Sequence, residues 1–418
     1  MKIILITSTF PFKPAEEFLE TEILFWAERS DISVSIVPLS FGNDRMRSIP
    51  ENINLDLSIT RKFMSELHKA LFYGLQVFFV KYFYIELLSE VKSNWKKISP
   101  LFSSIISYLI SYHSFKKFLK RQPKLNETVF YTYWNNEATF ALQSLKKRYG
   151  YQIFSRIHGH DLYKNRRTAG YMPLKKHFTK NIDGVFTVTD NAREYLTSNY
   201  GFEGKVLKLG RLGVIDRKIK TGPASQNSLH IVSCSHLSEV KQIHKVIEAL
   251  CKLALSNTHI EYRWTHLGGG LLYERIQRLA SESLASIKNV NYKILGVVEN
   301  ERVFRFYKEE QIDLFINVSM SEGAPVTIME ALSCHIPIVA PDIGGIGEMV
   351  INNHNGRLLN SDCSIESIIE ALSDIELFKR EETRMNSHAI YLNKYDARRN
   401  YVDFINFIAD KSRIEVQA

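Results

Sequence analysis

Two carboxylates eight positions apart, Glu322 and Glu330, flank a Gly-Ala-Pro-Val string (Gly323, Ala324, Pro325, Val326) within SEGAPVTIMEALS, Ser321 to Ser333. Proline has a helix-ready φ and no N–H to leave unpaired, so the string predicts a helix that begins near Ala324 with Pro325 at its first position. A helix start carries unpaired backbone N–H groups and the positive end of the helix dipole, and Gly323 lets an anion approach that backbone closely. A phosphate fits there. The two glutamates can then accept hydrogen bonds from hydroxyls on either side of it. Taken alone, the same spacing also fits a solvated cap residue and an exposed helix position.

The segment resembles the signature of family-4 retaining glycosyltransferases, enzymes of the GT-B fold. CSHLSEVKQIHKVIEAL (Cys234 to Leu250), WTHLGGG (Trp264 to Gly270) and the stretch from DLFINVS to PDIGGIGEMV (Asp313 to Val350) follow that family in order and spacing. The resemblance implies roles for particular residues. Lys241 falls on the donor diphosphate, a task suited to a compact point charge. RIHGHDLY (Arg156 to Tyr163) looks like the family's H-G-x-D turn, which puts His158 at the donor sugar and Asp161 near the acceptor. His158 and Glu322 are then the catalytic candidates, and Glu330 and the string 323–326 bind the donor. The family usually has an arginine five residues before the lysine; this chain has His236, which is only partly charged at neutral pH. The expected anion clamp is weaker or differently arranged, with Arg211 or His244 as candidates to compensate. Family members retain the anomeric configuration, and the implied chemistry is front-face attack in which the leaving phosphate accepts the acceptor's proton.

Transfer from a nucleotide diphosphate sugar builds negative charge on the leaving diphosphate, which the site must stabilise. Many transferases do so with a divalent metal held by D-x-D, a string absent from this sequence. The expectation is a site of cations and backbone N–H groups, with no metal and no cofactor. Gly268 to Gly270 follow a strand-like run, but they do not complete G-x-G-x-x-G, so a dinucleotide cofactor is not indicated.

These residues need elements to hold them. IILITS (Ile3 to Ser8), ISVSIVP (Ile32 to Pro38), TVFYTYW (Thr128 to Trp134), YQIFSRIH (Tyr151 to His158), GVFTVTD (Gly184 to Asp190) and KVLKLG (Lys205 to Gly210) read as strands separated by helices. One of those helices is predicted over Ala15 to Arg29, with Glu16 and Glu17 as first-turn residues favoured by the dipole or as acceptor contacts. A second α/β set runs from LHIVSCS to PIVAPD (Pro337 to Asp342). The fold class is therefore α/β: GT-B, two doubly wound parallel-sheet Rossmann-like domains facing across a cleft. The expected domains are 1–213 for the acceptor, with a helical insertion at 61–124, and 229–395 for the nucleotide sugar. A polar Gly, Pro and Ser segment at 214–228 reads as the linker, and the resemblance implies that a helix in 396–418 returns to the first domain.

A chain of 418 residues with 45% hydrophobic and 24% charged content is an ordinary globular protein of two or three domains. Four cysteines without a C-x-x-C pair suggest neither a disulfide framework nor a zinc site, and a reducing, cytoplasmic compartment follows. MKIILITSTFPF is too short an apolar run for a signal peptide and reads as the first strand. The net charge of +9 has a location: between Arg61 and Lys124 there are twelve basic residues and three acidic ones (Glu66, Glu86, Glu90), interleaved with aromatics. Two readings fit that stretch. It is a core-packed helical pair with a solvated basic face, or it lies on an anionic membrane surface. Nucleic acid is not the expected partner, because no recognised module accompanies the charge.

The reading that joins these observations is a retaining glycosyltransferase, peripheral on the inner face of a membrane. It moves a hexose from a nucleotide diphosphate sugar to a glycan or glycolipid acceptor in bacterial surface polysaccharide assembly. The rivals are a GT-B sugar-nucleotide epimerase and a non-catalytic nucleotide-binding scaffold subunit.

Overall fold

The computed structural model of the chain describes residues 1–13, 16–43 and 46–416. Two compact units divide it: Met1–Leu212 together with the C-terminal segment from Arg398, and Gly213–Ala397. Each is built on one sheet of parallel strands.

In the first unit β1 (Lys2–Thr7), β2 (Ser33–Pro38), β3 (Asn54–Leu55), β4 (Thr128–Thr132), β5 (Gln152–Ile157), β6 (Gly184–Thr187) and β7 (Leu207–Leu209) stand in the order β3-β2-β1-β4-β5-β6-β7. β1 is central, with Leu5 opposite Ile36 on one side and Tyr131 on the other. A parallel strand covered on both faces has no solvent side, which is why Ile3, Ile4, Leu5 and Ile6 are all buried in one unbroken apolar run. The helices between are α1 (Phe18–Ala27), α2 (Ser58–Leu67), α3 (Ala70–Gln76), α4 (Lys81–Glu86), α5 (Ile98–Leu119), α6 (Glu137–Tyr149) and α7 (Asp190–Tyr200). Both ends of α6 are written in the sequence: Asn136 Oδ1 accepts the Ala138 N–H, and Gly150 takes φ +75° at the C-terminus. The start expected for α1 at Ala15 lies outside the described residues. The basic stretch 61–124 holds not one helical pair but most of α2 and all of α3 to α5, and α5 packs on α6 and α2.

The second unit orders β8 (Ser228–Cys234), β9 (Glu261–Leu267), β10 (Val290–Ile294), β11 (Leu314–Ile316), β12 (Ile338–Pro341) and β13 (Gly356–Leu359) as β10-β9-β8-β11-β12-β13. Its helices are α8 (His244–Ser256), α9 (Tyr273–Leu284), α10 (Asn300–Glu309), α11 (Val326–Ser333), α12 (Ile365–Ser373), α13 (Ile375–Lys379) and α14 (Glu381–Lys394). Residues 214–228, expected as a linker, are hydrogen-bonded into this unit. The Thr221 N–H donates to the Cys334 carbonyl at 3.1 Å, and the Gly222 carbonyl accepts from Ile312 at 2.9 Å. Their polar, Gly- and Pro-containing composition reports irregular backbone, not the absence of packing. The last helix, α15 (Ala397–Val416), lays Phe404 against Tyr131 and Phe186 of the first unit at ring distances of 5.1 and 4.6 Å.

One boundary differs where it matters. α11 begins at Val326, and Pro325 (φ −68°, ψ +112°) is its N-cap rather than its first helical residue. The fixed proline φ suits both positions; ψ is extended here because the preceding loop is held away from the helix axis, with the Gly323 carbonyl accepting the Gly345 N–H at 2.8 Å.

In both sheets the strand order reverses beside the first strand of the unit, at β1/β4 and at β8/β11. Loops leaving the carboxyl ends of such neighbours diverge, and the crevice they leave is where open α/β sheets bind ligands.

Candidate functional site

At the β8/β11 reversal, the segment after β8 forms a short 3-10 turn, Glu239–Lys241, and the Val240 carbonyl accepts the Met320 N–H at 2.8 Å from the loop after β11. This brings Lys241 to Glu322. Its ammonium lies 2.5 Å from Glu322 Oε1, which also accepts the Ser319 hydroxyl at 2.7 Å and the Asn317 amide at 3.2 Å. Burial pushes the Glu322 carboxyl up, but the Lys241 charge and these hydrogen bonds outweigh it and hold the group below its ordinary value. Glu322 is an anion whose counter-ion is the lysine expected on a diphosphate.

The loop 321–325 is supported from behind. Gly344 has φ +55°, and a Cβ there would stand 1.9 Å from the Glu322 carbonyl oxygen, so only glycine permits this approach. Gly323, Ala324, Pro325 and Val326 carry the chain from Glu322 into the start of α11, whose first N–H groups have no acceptor within the helix. Glu330 sits on α11 with its carboxylate buried and accepting the Asn300 amide at 2.5 Å. Burial raises it to about 7 against the pull of that hydrogen bond. Asn300, the first residue of α10, went unmarked in the sequence, where an asparagine at a helix start reads only as a cap.

His236 is exposed beside the glycine turn. The Leu237 N–H donates to Gly269 at 2.8 Å, and a Cβ on Gly270 (φ +150°) would lie 2.5 Å from the Leu237 carbonyl and 2.9 Å from His236 Nε2. The three glycines thus allow two turns to pack at contact distance.

In the first unit the loops after β1, β4 and β5 meet. His158 leaves β5 and its N–H donates to Asp161 Oδ1 at 2.6 Å, while Asp161 Oδ2 accepts the Asn135 N–H at 2.7 Å. Asp161 is 2% exposed with both oxygens engaged. Its buried carboxylate braces the turn by accepting these backbone donors. Lys175 completes the brace, its ammonium donating to the Asn135 and Asp161 carbonyls at 2.7 and 2.5 Å, and burial lowers it to about 8. The His158 ring packs on Tyr133 and Trp134 at 4.7 and 4.8 Å, and its Nε2 is buried without a hydrogen-bond partner among the described residues. Burial, with the Arg156 charge, pushes it down to about 3, so this imidazole is neutral at physiological pH.

Glu16 is not a first-turn residue of α1. It has φ +62° and its carboxylate turns back to accept the Ser8, Thr9 and Phe10 N–H groups at 2.8, 2.8 and 2.7 Å and the Trp134 indole at 2.7 Å. Trp134, Asn135 and Lys175 carried no sequence signal. Asn135 is 1% exposed, and neither its Oδ1 nor its Nδ2 has a partner among the described residues. A buried amide and a buried imidazole nitrogen left unmatched are costly unless water or a ligand satisfies them.

Each unit thus holds a prepared polar site at its sheet reversal: a cation, an anion and a helix start in the second, and unmatched hydrogen-bonding groups on a braced turn in the first. Arg211 is engaged with Asp190 at 2.5 Å.

Residues 214–390 match the family model described as glycosyl transferases group 1. The amylovoran biosynthesis glycosyltransferase AmsK of Erwinia amylovora is 27% identical over 164 residues, covering 38% of this chain and 39% of AmsK. The chain spans about half the length of the curated relatives it matches. Among solved structures, the apo form of the lipopolysaccharide outer core galactosyltransferase WaaB superposes with a TM-score of 0.70 at 15% identity, over 98% of this chain and 100% of that one. Anabaena HepE, solved with UDP and glucose, superposes with a TM-score of 0.61 at 15% identity over 98% and 100%. These likenesses establish the GT-B fold for the chain, and the family match falls on the unit that carries Lys241 and Glu322.

Proposed function

We propose that the chain is a retaining, metal-independent glycosyltransferase of the family-4 type. It transfers a hexose from a nucleotide diphosphate sugar to a lipid-linked glycan acceptor in surface polysaccharide assembly. The observation that carries this reading is the Lys241–Glu322 pair at the β8/β11 reversal, directly before the α11 start. It is supported by the group 1 glycosyl transferase match over that unit, by the surface-polysaccharide relative AmsK, and by the UDP and glucose bound in HepE.

In this reading the donor diphosphate takes Lys241 as its counter-ion and the first amides of α11 as donors, and Glu322 is released toward a sugar hydroxyl. As the bond from the anomeric carbon to the phosphate oxygen breaks, the charge growing on the diphosphate is opposed by Lys241 and the helix dipole. The acceptor hydroxyl attacks the anomeric carbon on the face the phosphate leaves, and its proton passes to the departing phosphate oxygen. The new carbon–oxygen bond keeps the original configuration. His158, neutral, and Asn135 offer their unmatched groups to hydroxyls of the substrates, and Glu330 accepts from the nucleotide's ribose. His236 stands at the edge of the clamp.

Isothermal titration with UDP, GDP and ADP, in chelator, tests the reading. One nucleotide should bind without metal and lose roughly 10- to 100-fold in affinity with Lys241→Ala. Binding that requires metal would overturn metal independence, and no binding by any of the three would overturn the nucleotide-sugar donor.

A further inference from the structure

α3, α4 and the residues around them present a face that the donor site does not explain. Leu71 is 90% exposed, Leu75 69%, Phe79 89%, Leu88 71% and Trp95 72%. Single apolar residues are normal on a surface, but here five large ones are exposed within one 25-residue stretch. Leu71, Leu75 and Phe79 recur every fourth residue on the outer side, while Tyr73 and Val77, between them, are buried with Phe83 and Val91 in the core.

The charges on this stretch are sorted by sign. Lys81, Lys92 and Lys96 are exposed. Of the acids, Glu66 and Glu86 are buried, and Glu90, 24% exposed, is ion-paired. Glu66 accepts Lys117 at 2.9 Å and the Tyr73 hydroxyl at 2.6 Å; Glu86 accepts the Leu174 N–H at 3.1 Å; Glu90 accepts Lys97 and Lys176, each at 2.9 Å. What faces outward is therefore apolar side chains bordered by ammonium groups.

We propose that this face docks on an anionic lipid bilayer. The charge selects the occupant, since apolar side chains flanked by exposed lysines, with the acids of the described residues here buried or ion-paired, match lipid tails beneath phosphate headgroups. Among the described residues no single helix is long and apolar enough to cross a membrane, and only the pair Ala70–Phe79 and Lys81–Val91, bent by 69°, passes such a test. That pair cannot be surrounded by lipid, because its inner side is part of the protein core. It lies on the surface. Residues 171–177 connect it to the turn under His158: Leu174 donates to Glu86, and Lys175 donates to Asn135 and Asp161. An acceptor carried by lipid is thereby held at the same end of the first unit as the His158 turn. The surface itself is read from the first unit alone and stands or falls apart from the donor reading.

The test is flotation of the full chain with phosphatidylcholine vesicles containing or lacking phosphatidylglycerol. Its variants are the triple change Leu71→Ser, Leu75→Ser, Phe79→Ser and the triple change Lys81→Gln, Lys92→Gln, Lys96→Gln. All six side chains are exposed, so circular dichroism should be unchanged, and nucleotide titration reports the donor site separately. The wild type should float with the anionic vesicles and release with salt. Each lysine removed should weaken partitioning roughly fivefold, and the serine variant should not float. Tryptophan emission should move to the blue on anionic vesicles, and Trp95→Phe should abolish the shift. Wild type that stays unbound at low salt, or variants that partition like wild type, would overturn the proposal. Self-association abolished by the serine variant, without vesicle binding, would assign the face to a second copy of the chain.

Discussion

Lys241 and Glu322 are each other's counter-ion, so a substitution at either has two effects that must be separated. Lys241→Ala leaves a largely buried carboxylate unpaired and is expected to destabilise the second unit by about 1–3 kcal/mol as well as weaken nucleotide binding. Lys241→Met combined with Glu322→Gln removes both charges; denaturant titration should show stability regained while calorimetry shows affinity still lost. If the double variant recovers both, the lysine is structural. Glu330 makes a prediction in pH. Its folded value of about 7 lies above the ordinary 4.5, so the unfolded chain gives up this proton first. The second unit should lose stability as pH rises from 4.5 through about 7 and level off above, and Glu330→Gln should flatten that part of the profile. A wild-type melting temperature with the same pH slope as the variant's would refute the assignment.

At the scale of elements, the site depends on loops held at contact distance. Gly344→Ala places a methyl 1.9 Å from the Glu322 carbonyl, and only a shift of the 321–325 backbone relieves it. Roughly 2–4 kcal/mol of lost stability and a loss of nucleotide binding are expected. Gly222→Ala is the control, because nothing lies within 4 Å of its Cβ and its backbone is ordinary. Equal behaviour of the two variants in melting and titration would show that the loop tolerates displacement. The α11 boundary belongs at this scale too. Pro325 marks a helix start in the sequence, yet whether it caps or begins the helix is decided by the Gly323–Gly345 hydrogen bond.

At the scale of the molecule, the last helix belongs to the fold of the first unit. Arg156 and Glu22 form an ion pair with neither side chain exposed, and the guanidinium lies 4.3 Å from the Phe404 ring centroid. Phe404→Ala opens a cavity over that buried charge and is expected to cost the first unit about 3–5 kcal/mol. Thermal unfolding should then show the first unit's transition moved down and the second unit's unchanged. A single transition moving as one would mean that the units unfold together.

By itself the sequence determined what depends on neighbours along the chain. The unbroken apolar run of β1, the helix start beyond Glu322 and the α/β alternation are local patterns, so they are legible before any contact is known. β3, of two residues, is too short to carry a period, and β13 opens on Gly356 directly after the polar run Asn352 to Asn355, so its four residues do not stand out as a strand. Only the tertiary structure decided where side chains point. Lys241 meets Glu322 across 81 residues, Lys175 reaches under Asp161, and Glu16 turns back onto three backbone N–H groups and Trp134. The physical reason is common to all three. A charged group's partner is set by which distant segments the sheet order brings to the same reversal and by how deeply they are buried there, and neither leaves a mark in the residues beside it.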